Sequence, residues 1–189
     1  GETYLRESIE SVLNQTYKNW ELIFWDNKSS DKSKEVFKSY KDPRLKYFYA
    51  PEHTSLYKAR NLAIEKSNGD FISFLDTDDF WDKKKLELQI IHFDDEKVGL
   101  VFSNFWLVKK DLKKKLAIKE KLPKGDVYSE ILKNYTIAIL TVVMRKKYYL
   151  KLKKRFDDRF SFVGDFDLFL RLSKTCTFES IQTPLACCV

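Results

Sequence analysis

The segment Phe71-Ile-Ser-Phe-Leu-Asp-Thr-Asp-Asp-Phe-Trp81 brings three carboxylates, Asp76, Asp78 and Asp79, to the end of an apolar run. Carboxylate oxygens are hard donors that suit Mg²⁺ or Mn²⁺, and an ion held there can bridge a diphosphate. Phe71–Leu75 reads as a buried strand bounded by Asn68-Gly69. Open α/β sheets bind their ligands at the carboxyl ends of such strands. On an extended chain alternate side chains share a side, which groups Asp76 with Asp78. The structural alternative is an acidic turn that caps the next helix. A calcium loop of the EF-hand type is excluded, because Phe80 stands where the fifth ligand belongs and Trp81 where glycine is required.

A second candidate is Val163-Gly-Asp-Phe-Asp-Leu-Phe-Leu-Arg-Leu172, where Gly164 and Asp165 precede an amphipathic helix. Asp165 and Asp167 are two apart, so on a helix they diverge and cannot serve one site together. A carboxylate is favoured at a helix start, where it caps the helix or acts as a general base. In Lys58-Ala-Arg60-Asn, the Arg60 fork suits a planar anion, or else a surface ion pair. His53 and His92 have no partner pattern for nucleophilic or metal chemistry.

The elements that must carry these residues alternate along the chain. Leu5, Ile9, Val12 and Leu13 mark one face of a helix running to about Gln15. A strand at Glu21–Trp25 ends in Asp26-Asn-Lys-Ser-Ser-Asp31, and Val36, Phe37 and Tyr40 mark the helix after it. Then come a strand at Leu45–Tyr49, a helix at Leu56–Lys66, the strand Phe71–Leu75, a helix at Lys83–Phe93, a strand at Gly99–Leu107 and a charged hairpin around Lys109–Lys115. The remainder reads as helix (Val127–Asn134), strand (Ile137–Met144), basic helix (Lys146–Lys154), helix (Asp165–Ser173) and strand (Thr177–Ile181). Strands that are apolar on both faces, alternating with helices, predict a mostly parallel central sheet between two helical layers.

Length and composition set the bounds. With 189 residues, of which 43% are hydrophobic, residues 1–189 suit one domain with a full core. The net charge of +7 favours anionic partners, but the excess lysine clusters in Lys109–Lys124 and Lys146–Lys154 and reads largely as solvated surface. No nucleic acid is expected as a partner, because the charge is not interleaved with aromatics in a recognised binding fold. Cys176, Cys187 and Cys188 form no CxxC pair and read as reduced thiols, in keeping with a cytoplasmic chain. The apolar stretch Ile137–Met144 is far shorter than a membrane span. The chain opens on Gly1 and ends on Leu185-Ala-Cys-Cys-Val189, which reads as a fragment trimmed at both ends.

Taken together, Ser8-Ile-Glu-Ser-Val-Leu-Asn-Gln-Thr-Tyr17, Trp20-Glu-Leu-Ile-Phe-Trp-Asp-Asn-Lys-Ser-Ser-Asp31, Ala59-Arg-Asn61, Leu75-Asp-Thr-Asp-Asp79 and Asp165-Phe-Asp-Leu-Phe-Leu-Arg171 resemble the inverting family 2 glycosyltransferases. The resemblance covers nearly the whole chain and implies a GT-A-type, Rossmann-like three-layer α/β sandwich. It implies that Asp76 and Asp78 take the family's DxD positions, Asp76 toward the ribose and diphosphate and Asp78, with Asp79 beside it, toward the metal. Asp26 and Asn27 fall where the family carries an acidic pair near the nucleobase, with an amide in the second place here. Arg60 matches a position near the nucleotide, and Asp165 matches the catalytic base. The family's Glu before that base is Gly164 in this chain. The family's first apolar strand, which walls the nucleotide pocket, would precede residue 1.

The activity so implied is transfer of a sugar from a nucleotide-sugar, UDP- or dTDP-linked, to a hydroxyl of a saccharide or lipid-linked acceptor, with Mg²⁺ or Mn²⁺ as cofactor and cell-surface polysaccharide or glycolipid as product. A peripheral contact with the inner face of the membrane through Arg145–Arg155 is expected. The rival readings are a metal-dependent nucleotidyltransferase and an inactive basic binding module. A glycosidase is disfavoured, since it needs two carboxylates flanking the scissile bond rather than an acidic cluster at a strand end.

Overall fold

The computed structural model describes residues 2–108 and 113–189. The apolar stripe Leu5, Ile9 and Val12 is buried on helix α1 (Glu2–Leu13). Strand β1 (Leu22–Asp26), helix α2 (Ser33–Lys38) and strand β2 (Leu45–Tyr49) follow. Phe24 of β1 and Tyr47 of β2 pack with Phe37 of α2 and with the buried face of α1. β1 and β2 run parallel, Leu22 opposite Leu45 and Asp26 opposite Tyr49.

Helix α3 (Leu56–Glu65) leads into β3 (Phe71–Ser73), the short β4 (Phe80–Trp81) and α4 (Lys85–Ile90) with a 3-10 turn at Ile91–Phe93. The central strand β5 (Val98–Val108) pairs antiparallel with β6 (Lys114–Leu116). These are the arms of the charged hairpin expected around Lys109–Lys115, whose residues 109–112 lie outside the described residues. The chain closes with α5 (Tyr128–Lys133), β7 (Val143–Arg145), α6 (Lys146–Lys151), α7 (Gly164–Leu172) and β8 (Thr177–Cys188). Among the described residues no helix is long and apolar enough to cross a membrane.

The larger sheet has the order β3-β7-β5-β8-β4, with β6 on the side of β5. Period-two alternation divides it cleanly. Leu100, Phe102, Val142 and Met144 face a core shared with α3, α5, α6 and α7, whereas Val101 and Val143 face Phe93 and the partly buried Ile90 and Leu86 of the α4 side. Three layers result, as expected. The mostly parallel sheet holds only in part: β1–β2 and β5–β8 are parallel, but β3–β7, β5–β7, β4–β8 and β5–β6 are antiparallel. Burial on two faces reports that both faces are covered by helices, and it carries no information on strand direction.

Two further expectations change. The stretch Ile137–Met144 is not one strand: Ile139–Thr141 is a 3-10 turn, and two of its carbonyls are satisfied from other elements. Trp81 Nε1 donates to Leu140 O and Gln89 Nε2 to Thr141 O, which replaces ladder bonds with side-chain bonds. The strand Phe71–Leu75 ends at Ser73, so Asp76–Asp79 form a turn closed by Asp79 N–H donating to Asp76 O.

β1 and β3 do not pair with each other; β1 bonds only to β2 and β3 only to β7, so each has a free edge. Between them lies a slot of about 980 Å³ lined by β1, β3, α1 and α3. The indole N–H groups of Trp20 and Trp25, which also line it, are buried without a hydrogen-bond partner among the described residues. A buried donor left unpaired costs roughly 1–3 kcal/mol.

Candidate functional site

The acidic turn sits at the mouth of this slot, where Asp76 and Asp78 both line the cavity and Asp79 does not. Arg60, on α3, is 11% exposed and its Nη2 donates to both oxygens of Asp76, at 2.9 and 3.1 Å. Its guanidinium also lies against the rings of Tyr57 and Phe74. These contacts fix a planar cation in the cavity wall, and the fork retains N–H donors for a ligand anion. The two residues assigned separately to the nucleotide are thus direct partners.

Asp79 is buried under the turn, and its Oδ1 accepts from Val189 N–H. Burial, with smaller additions from the charges of Asp76 and Asp78, pushes its carboxyl up to about 6 against the lowering from that hydrogen bond. Asp78 is exposed at the turn. Beneath the end of β3, the wholly buried Lys85 donates to Ser73 Oγ at 3.1 Å and lies over the Trp81 ring, and burial drives its pKa well below the usual lysine range. It braces the strand that delivers the acidic turn.

Among the described residues no three His, Cys, Asp or Glu side chains form a group able to hold a metal ion. The turn nonetheless fits Mg²⁺ or Mn²⁺ of the kind that keeps several waters and takes one or two carboxylates plus substrate phosphates. Asp78 is the carboxylate open for that role, with Asp76 shared with Arg60.

At the other side of the slot, Asp26 and Asn27 are used for local architecture. Asp26 is buried; its Oδ1 accepts from Ser29 N–H and its Oδ2 from the Tyr47 hydroxyl. Burial, followed by that bond to Asp26, raises the Tyr47 pKa and keeps the phenol a donor. Asn27 pairs with Thr54 in both directions, Nδ2–H to Thr54 O at 2.8 Å and Thr54 N–H to Oδ1 at 3.1 Å. A carboxylate has no N–H and could not make the first of these bonds, which accounts for the amide at this position. Asn27 lines the cavity and has one amide hydrogen left for a pyrimidine carbonyl.

Asp165 lies in the first turn of α7, one residue inside a helix that starts at Gly164. Its Oδ2 accepts from the Tyr135 hydroxyl at 3.2 Å. Tyr135 is 37% exposed as a whole, but the protein packed around its hydroxyl, then the charge of Asp165 and the bond to it, raises its pKa, so the phenol stays a donor. Asp167 diverges as expected: it pairs with Arg171 at 2.7 Å, four residues on.

Gly164 explains its own departure from the resembled motif. A Cβ there would meet three ring carbons of Tyr57 at 2.5–2.8 Å, and its N–H donates to the Tyr57 hydroxyl at 2.8 Å. The Tyr57 ring fills the space that a side chain at 164 would need. Sequence reasoning missed both tyrosines. Tyr57 reads as a helix core residue, and Tyr135 stands in an aperiodic link.

The profile of Glycosyl transferase family 2 matches residues 1–171. The UDP-Glc:alpha-D-GlcNAc-diphosphoundecaprenol beta-1,3-glucosyltransferase WfgD of Escherichia coli is 32% identical over 187 residues, covering 99% of this chain and 71% of that protein. The putative teichuronic acid biosynthesis glycosyltransferase TuaG of Bacillus subtilis is 32% identical over 149 residues, covering 76% of this chain and 58% of that protein. Among solved structures, S. aureus TarS matches 100% of this chain and 57% of its own with a TM-score of 0.83 at 20% identity, and its complex with UDP matches with the same score. At that identity the likeness concerns the fold, which is of the GT-A glycosyltransferase type with a mixed rather than mostly parallel sheet.

Proposed function

The chain belongs to glycosyl transferase family 2, and from that membership we propose that it transfers a sugar from a UDP-linked donor to a hydroxyl of a lipid-linked saccharide, with inversion, in the synthesis of a cell-surface polysaccharide. The observation that carries this reading is the slot wall itself, where Arg60 is bound to Asp76 and Asp78 stands open beside them, with Asp165 held by Tyr135 at the start of α7. Relatives named for a UDP-glucose donor, a diphosphoundecaprenol-linked acceptor and teichuronic acid synthesis support the substrate class. In this reading Arg60 holds the donor phosphates, Asp26 and Asn27 shape the nucleobase wall, and Asp165, held on Oδ2 by Tyr135, takes the proton of the attacking hydroxyl on Oδ1. Release of nucleoside diphosphate from a nucleotide-sugar tests it. Release of pyrophosphate from a nucleoside triphosphate instead would return the chain to the nucleotidyltransferase class.

A divalent ion, when bound, would offset the charge of the departing diphosphate. Because Asp78 is the carboxylate left open, metal is expected to bind with nucleotide rather than before it. Calorimetry should show little Mn²⁺ binding to the protein alone and clear binding once UDP is present. Asp78→Ala should lower the metal-dependent part of UDP affinity by roughly tenfold or more, as one charge pair near a protein surface is worth a few kcal/mol. Equal UDP affinity in Mn²⁺ and in chelator would refute metal dependence.

The slot between β1 and β3 supports a strand seated there from residues upstream, pairing with both free edges. A longer chain carrying its native upstream residues is expected to melt at least about 4 °C higher, given roughly 2–4 °C per kcal/mol at this size, and to bind UDP more tightly. An unchanged melting temperature would count against a seated strand.

A further inference from the structure

The basic stretch Arg145–Arg155 spends most of its first half inside the protein. Arg145 Nε donates to Val98 O, Lys146 Nζ to Ser67 O, Lys147 pairs with Glu96, and Tyr149 is fully buried with its hydroxyl on Asn61 Oδ1. Apart from Lys147, what is exposed begins at Leu150 and continues beyond the helix. Over 150–163 the chain carries Lys151, Lys153, Lys154, Arg155 and Arg159 against Asp157 and Asp158. Within the same stretch Leu150 is 48% exposed, Phe160 37%, Phe162 80% and Val163 59%.

This loop is held rather than loose. Phe156 O accepts from Asn61 Nδ2, Asp158 O from Ser55 Oγ, and Gly164 N–H donates to Tyr57, so α3 and its N-cap residue hold the loop at its middle and at its C-terminal end. Within the loop the buried Asp157 carboxylate binds both Lys154 and Arg159. Val163, just before α7, has φ of +54°, a costly conformation for a β-branched residue. Apolar side chains this exposed are not covered by any described residue, and Phe162 stands three residues, at most about 10 Å of chain, from Asp165.

We propose that the segment 150–163 is a membrane-docking surface: Phe160, Phe162 and Val163 enter the apolar boundary of an anionic bilayer while the neighbouring Lys and Arg side chains contact its headgroups. The argument for a bilayer as occupant is charge complementarity, since the stretch is cationic and its apolar residues are interleaved with the charge, as in interfacial anchors. The proposal rests on the lipid-linked acceptor reading, because it sets Asp165 at the depth where a membrane-bound diphosphate sugar presents its hydroxyls.

Sedimentation with vesicles of phosphatidylcholine, with and without phosphatidylglycerol, tests it directly. The protein should pellet with the anionic vesicles and much less with the neutral ones. Phe162→Asp should weaken vesicle partition by roughly tenfold or more, the scale of withdrawing one phenyl ring from an apolar phase, with an unchanged melting temperature. Lys151→Gln with Lys153→Gln should each weaken it by roughly fivefold. Transfer to a short water-soluble acceptor should be the same for Phe162→Asp and the parent. Binding indifferent to phosphatidylglycerol, or unchanged in Phe162→Asp, overturns the proposal. So does loss of transfer to the soluble acceptor, which would make Phe162 a stacking platform for the acceptor sugar. Vesicle binding without any sugar transfer would instead overturn the glycosyltransferase reading and leave the docking surface standing.

Discussion

Asp165→Asn is expected to reduce turnover by at least about a hundredfold while donor affinity stays near that of the parent. A positioned base contributes roughly 10²–10⁴-fold, or about 3–5 kcal/mol of barrier at 1.36 kcal/mol per tenfold. The amide keeps the shape and still accepts from Tyr135, which donates to Oδ2 in the parent. It cannot take a proton from a sugar hydroxyl at neutral pH. The comparison that gives the result its meaning is Asp167→Asn. That carboxylate is engaged with Arg171, whose guanidinium also donates to the carbonyls of Lys154 and Arg155, so its loss should cost stability and leave turnover within a few-fold. Single-turnover kinetics with equilibrium UDP binding separate the two effects. A larger loss of turnover in Asp167→Asn would move the base to that residue.

Gly164→Ala is expected to lower stability by about 2–4 kcal/mol, combining overpacking of a filled site with loss of one buried hydrogen bond. The added methyl would overlap the Tyr57 ring, which is stacked on Phe156 and 3% exposed, so the ring has no free space to enter. At this chain length the melting temperature should fall by roughly 4–16 °C. The pairwise origin is checked by a double-mutant cycle: Tyr57→Leu removes the ring edge, and in that background Gly164→Ala should cost far less. Additive losses would mean that the methyl clashes with the backbone rather than with Tyr57.

The alternation of apolar runs was enough to locate almost every helix and strand, because Leu5, Ile9 and Val12 or Leu100 and Phe102 must be buried together whatever the topology. Strand direction was not legible. It depends on where each link returns the chain, and Val142, Val143 and Met144 would be equally apolar in either direction. The acidic turn was legible from residue type, as three carboxylates within four residues at the end of an apolar run, and Arg60 only from the resemblance, since alone it reads as a surface ion pair. Their mutual bond was not, because it needs the crossing of α3 over the end of β3. The local duties of Asp26 and Asn27 were equally hidden. Their partners, Tyr47 and Thr54, are some twenty or more positions away and carry no motif.

The most extensive strand pairing in the fold has a consequence for how the chain is made. β5 is buried through most of its length, yet its parallel neighbour β8 starts at Thr177, opposite Val98. Such distant pairing is slow to form, because the intervening loop must close before any ladder bond rewards it. During synthesis the apolar run Val98–Phe102 emerges long before its partner exists, and it waits as an unpaired edge. Completion of the central sheet therefore waits until Thr177–Cys188 has been made, and chains halted ahead of Thr177 should be clients of holding chaperones.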